Sequence, residues 1–264
     1  MRHASTAPHP WRMALLHLSP QLGAVAENRQ LLETAVHRAA ELGADWILTP
    51  ELWVCGYLFA ERIGTDWILP TPDPWMQHFC QVVARLQVTV FLSYPERDPH
   101  TNRLYNTVFV IAADGTCLGT HRKIHVVPQA EGWASPGDRL VPIGVPPLQV
   151  GVLICADAYT PPLARKLHEQ GAQLLVSSAA WGRWPHGPED SWERRSMETG
   201  LPLVVCNRTG RDGHDLSFMD AESVVVYQGR RLLAAQAERS VVLTCDWDRD
   251  TLTPLSTAFR AILL

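Results

Sequence analysis

Trp46-Ile47-Leu48-Thr49-Pro50-Glu51 is the stretch on which the reading of the fold turns. Three apolar residues and a β-branched one run into Pro50, which has no backbone N–H to continue a sheet ladder. A short apolar run stopped in this way predicts a buried strand, with Glu51 at its carboxyl end. Upstream, Leu31, Leu32, Ala35, Val36, Ala39 and Leu42 recur at helical spacing, and Gly43 stands where a helix would close. Downstream, Asp73-Pro74 opens a second helix with Trp75, Phe79, Val82, Val83 and Leu86 on one stripe. Val88 to Ser93 is the next strand, and Met13 to His17 precedes the first helix. The order is β-α-β-α-β, the pattern of an α/β protein.

The second half repeats the alternation after a hairpin. Thr107 to Ala112 and Thr116 to Val126 are strands around the turn Asp114-Gly115. Gln149 to Ile154 is an apolar strand that stops at Cys155. A helix from Pro161 to His168 follows, with Thr160 as its cap and Gly171 beyond its end. Leu174 to Ser178 is a strand, and Glu189 to Glu198 a helix ended by Gly200. Pro202 to Cys206, Ser223 to Tyr227, Leu232 to Ala235 and Val241 to Cys245 complete the strands. No repeat, low-complexity tract or linker divides the chain. The expectation is one α/β domain over residues 11–264, with helices covering the sheet faces, behind a disordered leader at 1–10.

Composition narrows the function classes. The 264 residues are 46% hydrophobic and 19% charged, ordinary for a globular protein and far from a disordered one. A net charge of −4 argues against a nucleic-acid partner, which would call for a basic face. The apolar runs fall short of the ~20 residues of a membrane span. The six cysteines are scattered without a C-x-x-C pair, which fits free thiols in a reducing cytoplasm. His121 and His125 lie four apart with no second ligand cluster, so no metal site is expected.

Glu51, Lys123 and Cys155 are the residues that carry chemistry. Two of them close strands at the carboxyl end, where open α/β sheets place their sites. Taken singly, each has an ordinary reading: a solvated loop acid, a surface cation beside Arg122 and His121, an inert core thiol. Their surroundings say more. Thr49-Pro50-Glu51 is followed by Gly56-Tyr57, and Lys123 sits in Arg122-Lys123-Ile124-His125. Cys155 ends Gly151-Val152-Leu153-Ile154-Cys155-Ala156-Asp157. Between them stand Leu104-Tyr105-Asn106-Thr107 before Asp114-Gly115, and Glu131 before Ser135-Pro136-Gly137-Asp138. Asn207 and Gly210 follow the Trp192 helix. In this order, from about Trp11 to Asp248, the chain resembles the nitrilase superfamily, the carbon–nitrogen hydrolases.

That resemblance implies a four-layer α-β-β-α sandwich, a Glu–Lys–Cys catalytic set and no cofactor. Cys155 would be the nucleophile, Glu51 the general base, and Lys123 the cation that meets the developing oxyanion. Glu131 would hold the lysine and help place the substrate, and the backbone N–H of Ala156 would complete the oxyanion site. The chemistry needs these types. An amide is a poor electrophile, and a free thiol is only a few per cent thiolate at neutral pH. A carboxylate can take the thiol proton during attack and hand it to departing ammonia.

Tyr57, Trp133 and Trp181 adjoin the catalytic segments and are candidate pocket walls or core rings. Asp157 either attracts a cationic substrate group or makes a structural hydrogen bond. The expected partner is a small amide or nitrile. The Cys-Trp-Glu of nitrile-cleaving members is absent here, as is their long tail, and both favour an amide or carbamoyl compound. A nitrilase is the alternative, as is a catalytically silent binding member. A Cys–His hydrolase using His168, His186 or His214 would need small residues where Leu153 and Asp157 stand. The resemblance also implies a homodimer or higher homo-oligomer, with Trp184, Trp192 and Met197 as candidate contact residues. Near the family's Gly-x-Ser stretch this chain has Ala221-Glu222-Ser223.

Overall fold

In the computed structural model, which describes residues 11–182, 187–214 and 216–264, the decisive stretch is the strand Trp46–Leu48. Its side chains divide between two apolar cores. Trp46 and Leu48 join Met13, Leu15 and Phe91 in one, while Ile47 joins Ala14, Leu16 and Val90 in the other. That is the period of two expected of a strand buried on both faces. Ile47's core is closed by Leu32 and Val36 of the helix Val25–Glu41 and by Phe79 and Val83 of the helix Pro74–Leu86. Trp46's core runs on through Val152 and Val204 to Leu167 of the helix Pro161–Glu169 and Trp192 of the helix Ser191–Thr199. The layers are therefore helices, sheet, sheet, helices, a nitrilase-type sandwich.

In the first sheet Trp11–His17, Trp46–Leu48 and Thr89–Arg97 run parallel, with Met13 opposite Trp46 and Trp46 opposite Thr89. Leu104–Ile111 and Cys117–Arg122 extend it as antiparallel neighbours, and Val241–Asp248 pairs on the other side of Trp11–His17. In the second sheet Leu148–Ile154, Leu174–Ser178 and Leu203–Cys206 are parallel, flanked by Ile143–Val145 and by Ser223–Tyr227 with Arg230–Ala235. Among the described residues no helix is long and apolar enough to cross a membrane.

Several elements differ from their sequence reading. The strand expected to reach Val126 ends at Arg122. Beyond it the backbone groups find partners off the ladder: the Lys123 carbonyl accepts from Gly137 N at 2.8 Å. Ile124 N and His125 N donate to Asp157 Oδ1 at 3.1 and 2.8 Å. The second helix buries Met76, whose N–H donates to the Asp73 cap at 2.7 Å, while Trp75 stacks on Phe79 and Tyr94 at its edge. The strand Arg260–Leu263, which pairs Val241–Asp248, lies beyond the strands read from the sequence; its apolar run Ala261-Ile262-Leu263 is short and largely exposed. Trp192 packs inward at 1% exposure, whereas Met197 stands out at 71%. Trp184, like the leader at 1–10, lies outside the described residues.

Candidate active site

Three strand ends converge between the sheets, and each is held by bonds that release the chain from its ladder. After Trp46–Leu48, Thr49 Oγ1 donates to Phe91 O at 3.1 Å and accepts from Ser93 N at 2.8 Å. This turns Glu51 across to the second sheet. There Glu51 N donates to Ala179 O at 3.2 Å, and Glu51 Oε2 accepts from Ala180 N at 3.1 Å. Lys123 follows Cys117–Arg122, its N–H donating to Asn106 O at 2.8 Å. A strap crosses directly over this corner at Gly137. A Cβ there would come within 2.3 Å of Arg122 O, so no larger residue fits. Cys155 closes Leu148–Ile154 and opens the single turn Cys155–Tyr159 with φ +46°, a left-handed conformation that costs a non-glycine residue roughly 1–3 kcal/mol.

Asp157 holds that turn. Its Oδ2 accepts from Ile154 N at 3.0 Å and lies 2.9 Å from His121 Nε2, and its Oδ1 takes the two N–H groups that follow Lys123. One fully buried carboxylate thus fixes both the nucleophile's turn and the lysine's exit. Burial alone would raise its pKa, but these hydrogen bonds and His121 hold it below the ordinary carboxylate value. Of the two roles open to Asp157 in the sequence, the structure shows the brace. It leaves no oxygen for a cationic substrate.

The ion set is dry. Lys123 Nζ donates to Glu51 Oε1 and to Glu131 Oε2, each at 2.6 Å, with all three side chains fully buried. Asn106 Nδ2 bridges the same two carboxylates, at 2.8 Å from Glu51 Oε1 and 2.7 Å from Glu131 Oε1. Glu131 Oε2 also accepts from Tyr57 Oη at 3.2 Å and Val127 N at 3.1 Å. An ammonium has three N–H donors, so two bonds leave one for a substrate oxygen. Burial would lower the Lys123 pKa, but Glu51 and Glu131 outweigh it and keep it charged, well above its ordinary value. Burial, more than the opposing pull of Lys123, raises the Glu51 pKa and makes it a stronger base. Burial and then the Glu51 charge push the Cys155 thiol well above its ordinary range, so the resting nucleophile is a protonated thiol.

The cleft over Cys155 has a volume of about 340 Å³ and is lined by Ala156, Tyr57 and Trp181 together with Tyr159, Leu216 and Phe218. Trp133 is not among its walls. It packs edge-on against Phe59, with centroids 4.9 Å apart. Asn207 clamps the Trp181 backbone, accepting from Trp181 N at 3.0 Å and donating to Trp181 O at 2.9 Å. Ser223 of the departed Gly-x-Ser stretch takes part here: its Oγ accepts from Asn207 N at 2.9 Å and sits 3.0 Å from His17 Nδ1. His168 and His214 are exposed, away from the thiol, and His186 lies outside the described residues.

Asn106, Asn207, Tyr159, Phe218 and the Arg208–Asp212 ion pair were not singled out as site residues. The two asparagines lay in the quoted segments Leu104-Tyr105-Asn106-Thr107 and Asn207 to Gly210, which was their only signal. Among the described residues no group of three or more His, Cys, Asp or Glu side chains is placed to hold a metal ion.

Comparison with known proteins gives the family. The carbon-nitrogen hydrolase family model matches residues 12–256. A probable nitrilase of Schizosaccharomyces pombe is 26% identical over 250 residues, covering 92% of this chain and 90% of the relative. A citrullinase of Francisella tularensis is 29% identical, covering 81% of this chain and 80% of its own length. Among solved structures, Saccharomyces cerevisiae Nit3, a nitrilase-superfamily member, superposes with a TM-score of 0.80 at 22% identity, over 92% of this chain and 91% of its own. The match runs over nearly the whole sequence, and the chain belongs to the carbon–nitrogen hydrolase family.

Proposed function

We propose that this carbon–nitrogen hydrolase is an amidase that cleaves the C–N bond of a small carboxamide or carbamoyl compound through a thioester on Cys155, releasing ammonia. The observation that carries this reading is the dry Glu51–Lys123–Glu131 set beside a protonated thiol. A thiol held above its ordinary pKa attacks only as its proton leaves, so the base must act in the same step. Glu51, raised by burial, takes that proton as Cys155 Sγ bonds to the carbonyl carbon. The developing oxyanion is met by the third Lys123 N–H and the Ala156 backbone N–H, each such donor being worth about 3–4 kcal/mol. The proton on Glu51 passes to the leaving nitrogen, the C–N bond breaks, and ammonia departs. Water, deprotonated by the same carboxylate, then attacks the thioester. The C–S bond breaks and the thiol takes back its proton.

Lys123 and Glu131 keep their charges while Glu51 takes and returns the proton, so the cation for the oxyanion is in place before the transition state forms. Ammonia release from a panel of amides and carbamoyl compounds, compared between wild type and Cys155→Ala, tests the reading. Release by wild type that vanishes in the variant is expected. Release that survives Cys155→Ala would remove the thiol from the mechanism.

A further inference from the structure

We infer that the cleft over Cys155 is built for an uncharged, flat, apolar acyl group, an aryl or arylalkyl carboxamide, and that the buried Arg208–Asp212 pair is the device that fixes its Tyr57–Phe218 wall. This rests on the hydrolase reading above and names the substrate class of the same site.

The walls turn carbon toward the cleft and their polar ends away from it. Tyr57 Oη is committed to Glu131 and Tyr159 Oη donates to Gly187 O at 2.7 Å, so both rings offer their carbon frames. Tyr159 meets Trp181 edge-on at 4.5 Å, and Tyr57 meets Phe218 at 6.4 Å and 83°, which leaves ring surface on both sides of the cavity. Val127 and Leu216 fill the space between. His125 is exposed at the rim, its Nδ1 lying 2.7 Å from Thr160 Oγ1. Among the described residues the walls are apolar with few convergent polar groups, which favours a ligand that loses little hydration on entry.

Behind those walls sits a charge that never reaches the cleft. The Arg208 guanidinium lies 4.3 Å from the Phe218 ring centroid, on the face away from solvent, and is fully buried. Asp212, also fully buried, meets it at 2.8 Å. The same Asp212 accepts the backbone N–H groups of Tyr57 and Leu58. One ion pair therefore holds Phe218 by its face and Tyr57 by its backbone, the two rings that meet edge-on along one wall. A buried pair is costly to desolvate, and its use here is to fix the distance between two rings.

The local charge excludes one class of ligand. Lys123 is a single cation facing the carboxylates of Glu51 and Glu131, so a substrate bearing its own carboxylate near the reacting carbonyl meets a net negative floor. A cationic tail would find ring faces, but among the described lining residues Val127 and Leu216 offer no charge to offset its dehydration.

Dissociation constants measured by calorimetry on Cys155→Ala, which does not turn over, test this directly. The ligands are phenylacetamide, N-carbamoylglycine and a monocarbamoylated diamine. Phenylacetamide is expected to bind at least tenfold more tightly than either charged compound. Phe218→Ala and Phe218→Leu in the same background are expected to weaken it by at least fivefold and about twofold, with circular dichroism checking the fold of each. Equal or tighter binding of a charged ligand, or indifference to Phe218→Ala in a folded protein, would overturn the inference. Because binding is read without turnover, these outcomes stand apart from the ammonia assay, whose failure would sink the hydrolase reading alone.

Discussion

The floor and the walls of the cleft solve opposite problems with the same material, a buried ion cluster. On the floor, Lys123 faces two carboxylates, and the N–H left beyond those two bonds is the one the proposed mechanism gives to the oxyanion. In the walls, Arg208 faces one carboxylate and its charge is turned away, under the Phe218 ring. In the proposed mechanism the floor does the chemistry and so requires its residue types. The walls set shape, and an ion pair there could give way to apolar packing at little cost to stability. Burial alone therefore does not mark a charge as catalytic. What separates the two clusters in the proposed mechanism is whether the cation supplies a donor to the substrate.

The largest effect that separates floor from walls is expected from Lys123→Met. It strands Glu51 and Glu131 as buried carboxylates and removes the oxyanion's cation. Turnover should fall by about 10³-fold or more, and stability by about 3–5 kcal/mol, read by ammonia release and denaturant melts. Glu51→Gln should cost turnover about 10²–10⁴-fold through loss of the base, with little change in substrate affinity.

The wall pair should behave differently. Asp212→Leu leaves Arg208 buried without a partner and is expected to cost about 3–5 kcal/mol. Adding Arg208→Met should recover most of that loss, with KM raised more than kcat is lowered. A double variant as damaged as the single, or one losing kcat alone, would place the pair with the floor.

The smallest effect concerns His17, at the base of the Ser223–Asn207–Trp181 chain. Burial lowers its pKa to about 4 from an ordinary value near 6.5. The unfolded chain therefore binds the proton first as pH falls. The native state keeps full stability from this residue above about pH 6.5 and loses about 3 kcal/mol of it by pH 4. Urea melts across that window should show the slope, and His17→Gln should remove it.

How much could be read from the sequence follows the same division. Glu51, Lys123 and Cys155 stand at the ends of apolar runs, and the neighbouring motifs resemble a known family, so residues and order were both legible. The sheets were legible because alternation is local: Ile47 and Trp46 face different cores for the same reason any strand does. Asp157 has two open roles in the sequence, because nothing local reveals that backbone N–H groups of two segments and the His121 ring converge on it. Trp133 lies two residues from Glu131 in sequence, yet the turn after the short helix Pro128–Glu131 sends it to Phe59. Arg208 and Asp212 carry no signal of their own in the sequence, because nothing local reveals that Phe218 covers one and Tyr57 N–H meets the other.

The central claim is that the C–N bond breaks through a thioester on Cys155. Acid-quenched turnover with hydroxylamine present, followed by mass analysis of the tryptic peptide 140–165, whose only cysteine is Cys155, tests it most directly. The account predicts a mass increase on that peptide equal to the amide less ammonia, with hydroxamate formed in its place as hydroxylamine is raised. Turnover that yields no hydroxamate and leaves the peptide at its unmodified mass would contradict it.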